Sequence, residues 1–158
     1  MSRAVIFGGA GYIGTMLARH FVEAERFQEV LVADIKPPAS EVAGVRFVQC
    51  DVREAITIAA GETAPDWIFN FAAVHREPGH EAHEYFDTNL AGARNVCAWA
   101  EQVGCANVFF TSSIATYGPT NGATTSGIAG AAQICQQAMC RDRQVSSVAT
   151  LARPGAGV

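Results

Sequence analysis

Lysine is nearly missing from this sequence. Its 11 Lys and Arg residues are all arginine except Lys36, so any chemistry that needs an ammonium group rests on one position. The five cysteines, Cys50, Cys97, Cys105, Cys135 and Cys140, are odd in number and none forms a C-x-x-C pair. Four ligands at metal spacing cannot be assembled from them, and no metal is expected. Buried free thiols in a reducing cytoplasm are the expected state. There is no basic surplus: 11 cations against 15 anions give a net charge of −4, which points away from nucleic acid and from acidic membrane surfaces. No apolar run approaches the roughly 18 residues of a membrane helix, and the N-terminus lacks an apolar signal core. The expected partners therefore include neither nucleic acid nor membrane. A disordered chain is excluded as well, since 49% of residues are hydrophobic and only 16% charged. At 158 residues, one domain is expected.

Short apolar runs alternate with segments of helical period. Ala4–Phe7, Val30–Ala33, Val45–Val48, Trp67–Phe71, Val108–Phe110 and Val145–Leu151 read as strands. Several are apolar throughout, as expected of parallel strands covered on both faces. Ile13, Leu17, Phe21 and Ala24 form one helical stripe. Phe86, Leu90, Ala93, Cys97 and Ala100 form a second, stopped by Gly104. Ile128, Ala131, Cys135 and Ala138 form a third behind Ser126 as N-cap. Arg53–Ala60 is expected to be a short helix, weakened by Thr57 and Ile58. The β-then-α repetition predicts an α/β domain with a doubly wound parallel sheet of about six strands and helices on both faces. Pro37–Ser40 and Pro119–Thr125 read as loose loops.

Gly8-Gly9-Ala10-Gly11-Tyr12-Ile13-Gly14 follows the first strand and opens the first helix. Glycine at position 8 permits a sharp turn, at 11 close approach of a pyrophosphate, and at 14 tight helix packing. The helix N-terminus adds unpaired N–H groups and positive partial charge. Asp34 ends the second strand 20 residues after Gly14. A dinucleotide fold places an acid there to accept hydrogen bonds from the adenosine ribose, and a carboxylate disfavours a 2′-phosphate, so NAD is expected over NADP. Asp51 ends the third strand. On the residues alone it either meets the adenine or caps the helix expected at Arg53–Ala60.

Together with Gly8–Gly14 and Asp34, four further stretches carry a resemblance: Cys50-Asp51-Val52-Arg53, Asn70-Phe71-Ala72-Ala73, Asp87 to Val96, and Phe110 to Gly118. Arg153-Pro154-Gly155 extends it past the sixth strand. The chain resembles the extended short-chain dehydrogenase/reductase family, the NAD-dependent epimerase/dehydratases of nucleotide sugars, with a Rossmann-like fold. The resemblance implies NAD as cofactor and a UDP- or GDP-sugar as substrate. It implies cofactor contacts at Gly8, Gly11, Tyr12, Ile13, Gly14, Asp34, Ile35, Asp51, Val52, Phe71, Ala72, Ala73, Asn89 and Thr111. Ser113 takes the catalytic serine position, hydrogen-bonded to the sugar oxygen. His75, in the polar loop after the fourth strand, is a candidate substrate contact, and Arg76 a phosphate contact. His80 and His83 share that loop, which also reads as simply solvated. Relatives of this kind pair as homodimers through two helices, here Tyr85–Val103 and Ser126–Arg141.

Two features depart from that pattern. The family's proton relay is a tyrosine with a lysine four residues on, the lysine lowering the phenol pKa. Here Tyr12, Tyr85 and Tyr117 are followed at that spacing by Met16, Asn89 and Asn121. Ser126 and Gly130 stand where the pair is expected, and a serine hydroxyl is too weak an acid to replace a phenol. The smaller sugar-binding portion of the family is also absent after Val158. Residues 1–158 therefore read as a truncated NAD-binding domain. Three functions remain open at this point: an epimerase/dehydratase acting on nucleotide sugars, a non-catalytic NAD-binding module, and an incomplete copy of an enzyme.

Overall fold

A computed structural model describes residues 2–59, 64–74, 79–111 and 144–148. Six strands form one parallel sheet in the order β3-β2-β1-β4-β5-β6. They are β1 (Arg3–Phe7), β2 (Glu29–Asp34), β3 (Val45–Gln49), β4 (Trp67–Asn70), β5 (Asn107–Thr111) and β6 (Gln144–Val148). Helix α1 (Tyr12–Glu23) joins β1 to β2. Between β4 and β5 run α2 (Ala82–Phe86), a π-helical stretch (Asp87–Gly92) and α3 (Ala93–Gln102).

Every residue of β1 is buried, which is why its sequence does not alternate. Val5 and Phe7 face one layer with Leu31, Ala33, Ile68 and Val108, packed on Val96, Trp99 and Ala100 of α3. Ala4 and Ile6 face the other with Val30, Val32 and Phe69, packed on Ala18 and Phe21 of α1. Phe7 and Trp99 meet edge to face with ring centroids 5.5 Å apart.

Four expectations are corrected. Residues 53–59 are not helical. The chain turns at Asp51–Glu54 and continues without regular structure, with Ile56 buried and Ile58 packed beside it. Side chains of α3 take its carbonyls in place of helical N–H groups: Asn95 Nδ2 donates to Val52 O (2.8 Å) and Glu54 O (3.2 Å), and Trp99 Nε1 to Ile58 O (3.1 Å). The buried stripe of α1 is Gly14–Ala18–Phe21, while Ile13 and Ala24 are exposed. Phe86 is 67% exposed although Ala93, Cys97 and Ala100 are buried as expected. The π-helical stretch adds a residue to the turn and rotates the earlier residues out of phase. Cys97 is disulfide-bonded, whereas Cys50 is a free thiol and Cys105 donates its Sγ–H to Asn107 O. Bridging depends on proximity in the fold, which linear spacing does not report.

Gly104 ends α3 with φ +76°, as a C′ glycine does. Among the described residues, no helix is long and apolar enough to cross a membrane. The helix expected behind Ser126, the loop Pro119–Thr125 and the end of the sixth strand lie outside the described residues.

Candidate functional site

The carboxyl ends of five strands, β1 to β5, converge on one cleft. Backbone bonds fix them relative to one another: Gly8 N–H donates to Ala33 O (2.9 Å), Phe71 N–H to Phe7 O (2.8 Å) and Cys50 N–H to Asp34 O (2.9 Å). The chain leaves β1 toward β2 on one side, and β4 flanks β1 on the other. Ligands of open α/β sheets bind at this reversal of strand order.

The glycine loop is built by close approach. Gly8 adopts φ +67°, and a Cβ there would lie 2.4 Å from the backbone nitrogen of Ala72. A Cβ on Gly14 would lie 2.4 Å from Gly9 Cα, so its hydrogen lets α1 close onto the loop. Gly9 is similarly boxed in by Ile6 O at 2.7 Å and by Val32. Gly11 differs: its Cβ would meet only Gly8 O at 3.3 Å, and the residue is exposed at the cleft. A side chain at Gly11 asks Gly8 O to give by only a few tenths of an ångström, far less than at positions 8, 9 and 14, and the residue lines the cleft. Gly11 is also the N-cap of α1, whose first turn holds no acidic residue to compete with an anion.

Asp34 holds this loop from the end of β2. Its Oδ2 accepts from Ala10 N–H (2.9 Å) and its Oδ1 from Ile35 N–H (2.7 Å). A carboxylate has about four lone-pair sites, so acceptor capacity remains for ribose hydroxyls. Asp51 follows β3 and opens the turn to Glu54. Its carboxylate accepts from Arg53 N–H and from the Arg53 guanidinium, which holds its pKa below the usual carboxylate value. It therefore closes a turn instead of capping a helix. Burial, then the charges of Asp51 and Asp34, push the Cys50 thiol up, so it stays protonated at neutral pH.

The cleft between these elements encloses about 700 Å³, within the usual range for small-molecule sites. Gly8, Gly11, Tyr12, Ile13, Gly14, Asp34, Ile35, Asp51, Val52, Phe71, Ala72, Ala73 and Thr111 all line it, as expected. Cys50, Arg53, Val74, His80, Glu84 and Thr88 line it too and were not anticipated. Arg53 had one available signal, its place two residues after Asp51. His80 and Glu84 are brought in by α2, where Glu84 accepts from Glu81 N–H (2.8 Å) in a capping box and pairs with His80 (3.3 Å). Asn89 is the one described candidate not on the lining. Its amide is spent on Val74, accepting from the N–H (2.7 Å) and donating to the carbonyl (2.9 Å), so it braces the wall. Ser113 and His75 lie outside the described residues. These features fit a dinucleotide: a positive helix end, a glycine gap before it and a carboxylate beside it with acceptor capacity left.

Comparison with known proteins agrees. The family model described as NAD dependent epimerase/dehydratase family matches residues 4–136. A UDP-glucose 4-epimerase of Streptomyces lividans is 29% identical over 121 residues, 72% of this chain and 36% of that protein. A 3 beta-hydroxysteroid dehydrogenase/Delta 5-->4-isomerase of Monkeypox virus is 26% identical over 124 residues, 75% of this chain and 36% of that protein. A crystal structure of UDP-galactose 4-epimerase superposes with TM-score 0.73 at 28% identity, covering 93% of this chain and 55% of that one. Bordetella bronchiseptica WbmG, in complex with NAD and UDP, gives TM-score 0.71 at 26% identity, covering 92% and 52%. The chain thus spans little more than a third of these curated relatives and about half of these solved chains.

Proposed function

We propose a function from one established premise: the chain belongs to the NAD dependent epimerase/dehydratase family. We infer that it binds NAD in the cleft at the strand ends and belongs to the nucleotide-sugar branch of that chemistry. The observation that carries this is the cradle itself. Gly11 opens the N-terminus of α1 to a pyrophosphate, and the Asp34 carboxylate stands beside it with acceptor capacity to spare.

In this reading Gly8–Gly14 and the first turn of α1 hold the pyrophosphate. Asp34 accepts from the ribose hydroxyls and repels a 2′-phosphate. Asp51 and Val52 flank the base, and Ala72, Ala73 and Thr111 leave room where β4 and β5 end. Ser113 donates to the sugar oxygen. When bound, NAD supplies a two-electron acceptor that allows a sugar hydroxyl to be oxidised transiently. The UDP-glucose 4-epimerase relative and the UDP-bound neighbour support a UDP-sugar as substrate.

One sequence fact favours a second reading. With no Tyr-x-x-x-Lys and Lys36 as the only lysine, the general acid–base help worth about 10²–10⁴-fold has no carrier at the expected spacing. That supports an NAD-binding module without turnover. Melting the purified chain with increasing NAD tests the shared claim. A ligand at 100 times its Kd adds about 2.7 kcal/mol of stability, so a rise of several degrees is expected, and no rise contradicts both readings. UDP-glucose added to the NAD-loaded chain then separates them: formation of an epimer or dehydration product establishes the enzyme, and binding without product the module.

A further inference from the structure

The strand order fixes where each part of a dinucleotide must lie. The pyrophosphate sits at the β1–α1 loop and the ribose at Asp34, on the end of β2. β3 is the next strand outward, so the base of the bound nucleotide lies over the carboxyl end of β3. Asp51 and Arg53 line the cleft at that corner. Four hydrogen bonds join the two residues. Arg53 Nε lies 2.9 Å from Oδ1 and 3.0 Å from Oδ2 of Asp51, Arg53 Nη2 lies 2.6 Å from Oδ2, and Arg53 N–H donates to Oδ1 at 3.0 Å.

We propose that Arg53 is a positioning residue for base recognition, fixing the Asp51 carboxylate so that this corner of the cleft selects a base bearing an exocyclic amino group. The inference rests on the NAD-binding reading given above. A free aspartate rotates about two bonds and can turn away or follow a different ligand. Here the side chain is tied at both oxygens, and a planar guanidinium holds it in one plane. An ionised carboxylate only accepts hydrogen bonds. Held in place, it accepts from the 6-amino group of adenine and opposes the 6-oxo group of hypoxanthine, which can only accept as well. A site built to bond a donor rejects the analogue that lacks it more strongly than a flexible site does.

The test is the ratio of two affinities, for NAD and for nicotinamide hypoxanthine dinucleotide, each measured by calorimetry on the whole chain. The wild-type chain is expected to prefer NAD. Arg53→Gln is expected to lower that preference by about threefold or more, with the melting temperature of the free chain little changed because the pair is exposed. Arg53→Lys keeps the charge but not the fork, and the preference is expected to fall there too. An unchanged ratio in Arg53→Gln, with both affinities weakened equally, overturns the proposal. So does a wild-type ratio in Arg53→Lys, since charge alone would then suffice. A wild-type ratio in Asp51→Asn places the base elsewhere and overturns the proposal while NAD binding stands. Absence of NAD binding by the wild-type chain is a distinct result that removes the proposed function and this inference with it.

Discussion

Gly14 and Gly11 share one motif but answer to different constraints. A methyl group at position 14 would collide with the Gly9 backbone at 2.4 Å. Backbone cannot yield as a side-chain tip can, so Gly14→Ala is expected to cost about 1–3 kcal/mol or more, read as a lowered urea midpoint without NAD. The Asp51–Arg53 pair makes a second prediction at this scale. Arg53 lowers the Asp51 pKa in the folded state. A group so shifted contributes stability above its unfolded pKa of about 4 and loses it as pH falls through the folded value. The pair is exposed, so the effect is at most about 1 kcal/mol. Melting temperature followed from pH 6 to pH 2.5 is expected to fall less steeply below pH 4 in Arg53→Gln than in the wild type. Parallel curves contradict this. The place of both glycines and of Asp34 at the cleft was legible in the sequence, because it follows from position relative to one strand and one helix. The Asn89 brace on Val74 was not, since a polar residue on a helix carries no sign of which backbone it will meet.

Segment 51–59 shows where element-level reading failed and why. Val52 and Ile56 are spaced as on a helix, and both are buried. The deciding partners are Asn95 and Trp99, 41 to 43 residues away, whose side chains accept the role of donors to this segment's carbonyls. Local period cannot register such a partner. The same holds for the π-helical stretch, which leaves Phe86 outside and keeps Ala93, Val96 and Ala100 on the core. If α3 orders the segment, Asn95→Ala strands two carbonyls, and a loss of about 1–3 kcal/mol is expected. Hydrogen exchange should show faster opening of residues 51–58 than of β1. Equal protection in the variant and the wild type contradicts that account.

At the scale of the molecule, six parallel strands bring the β1–α1 loop, Asp34, Asp51 and the Ala72–Ala73 segment to one rim, although they span some 65 residues of sequence. The parallel, doubly wound sheet was readable from the β-then-α repetition, and the glycine loop after the first strand marked the cleft; the order of the strands comes from the structure. The lining of the cleft by α2 was not readable, because the path of a polar loop depends on packing that composition does not encode. The central claim is that the glycine gap at the head of α1 serves a dinucleotide more than it serves the fold. Calorimetric titration of NAD into the wild-type chain and into Gly11→Ala tests it most directly. The account predicts similar melting temperatures for the two free chains, saturable binding to the wild type, and affinity weakened about tenfold or more in the variant, since a methyl group there meets the pyrophosphate. Equal affinities, or a variant that fails to fold, would contradict it.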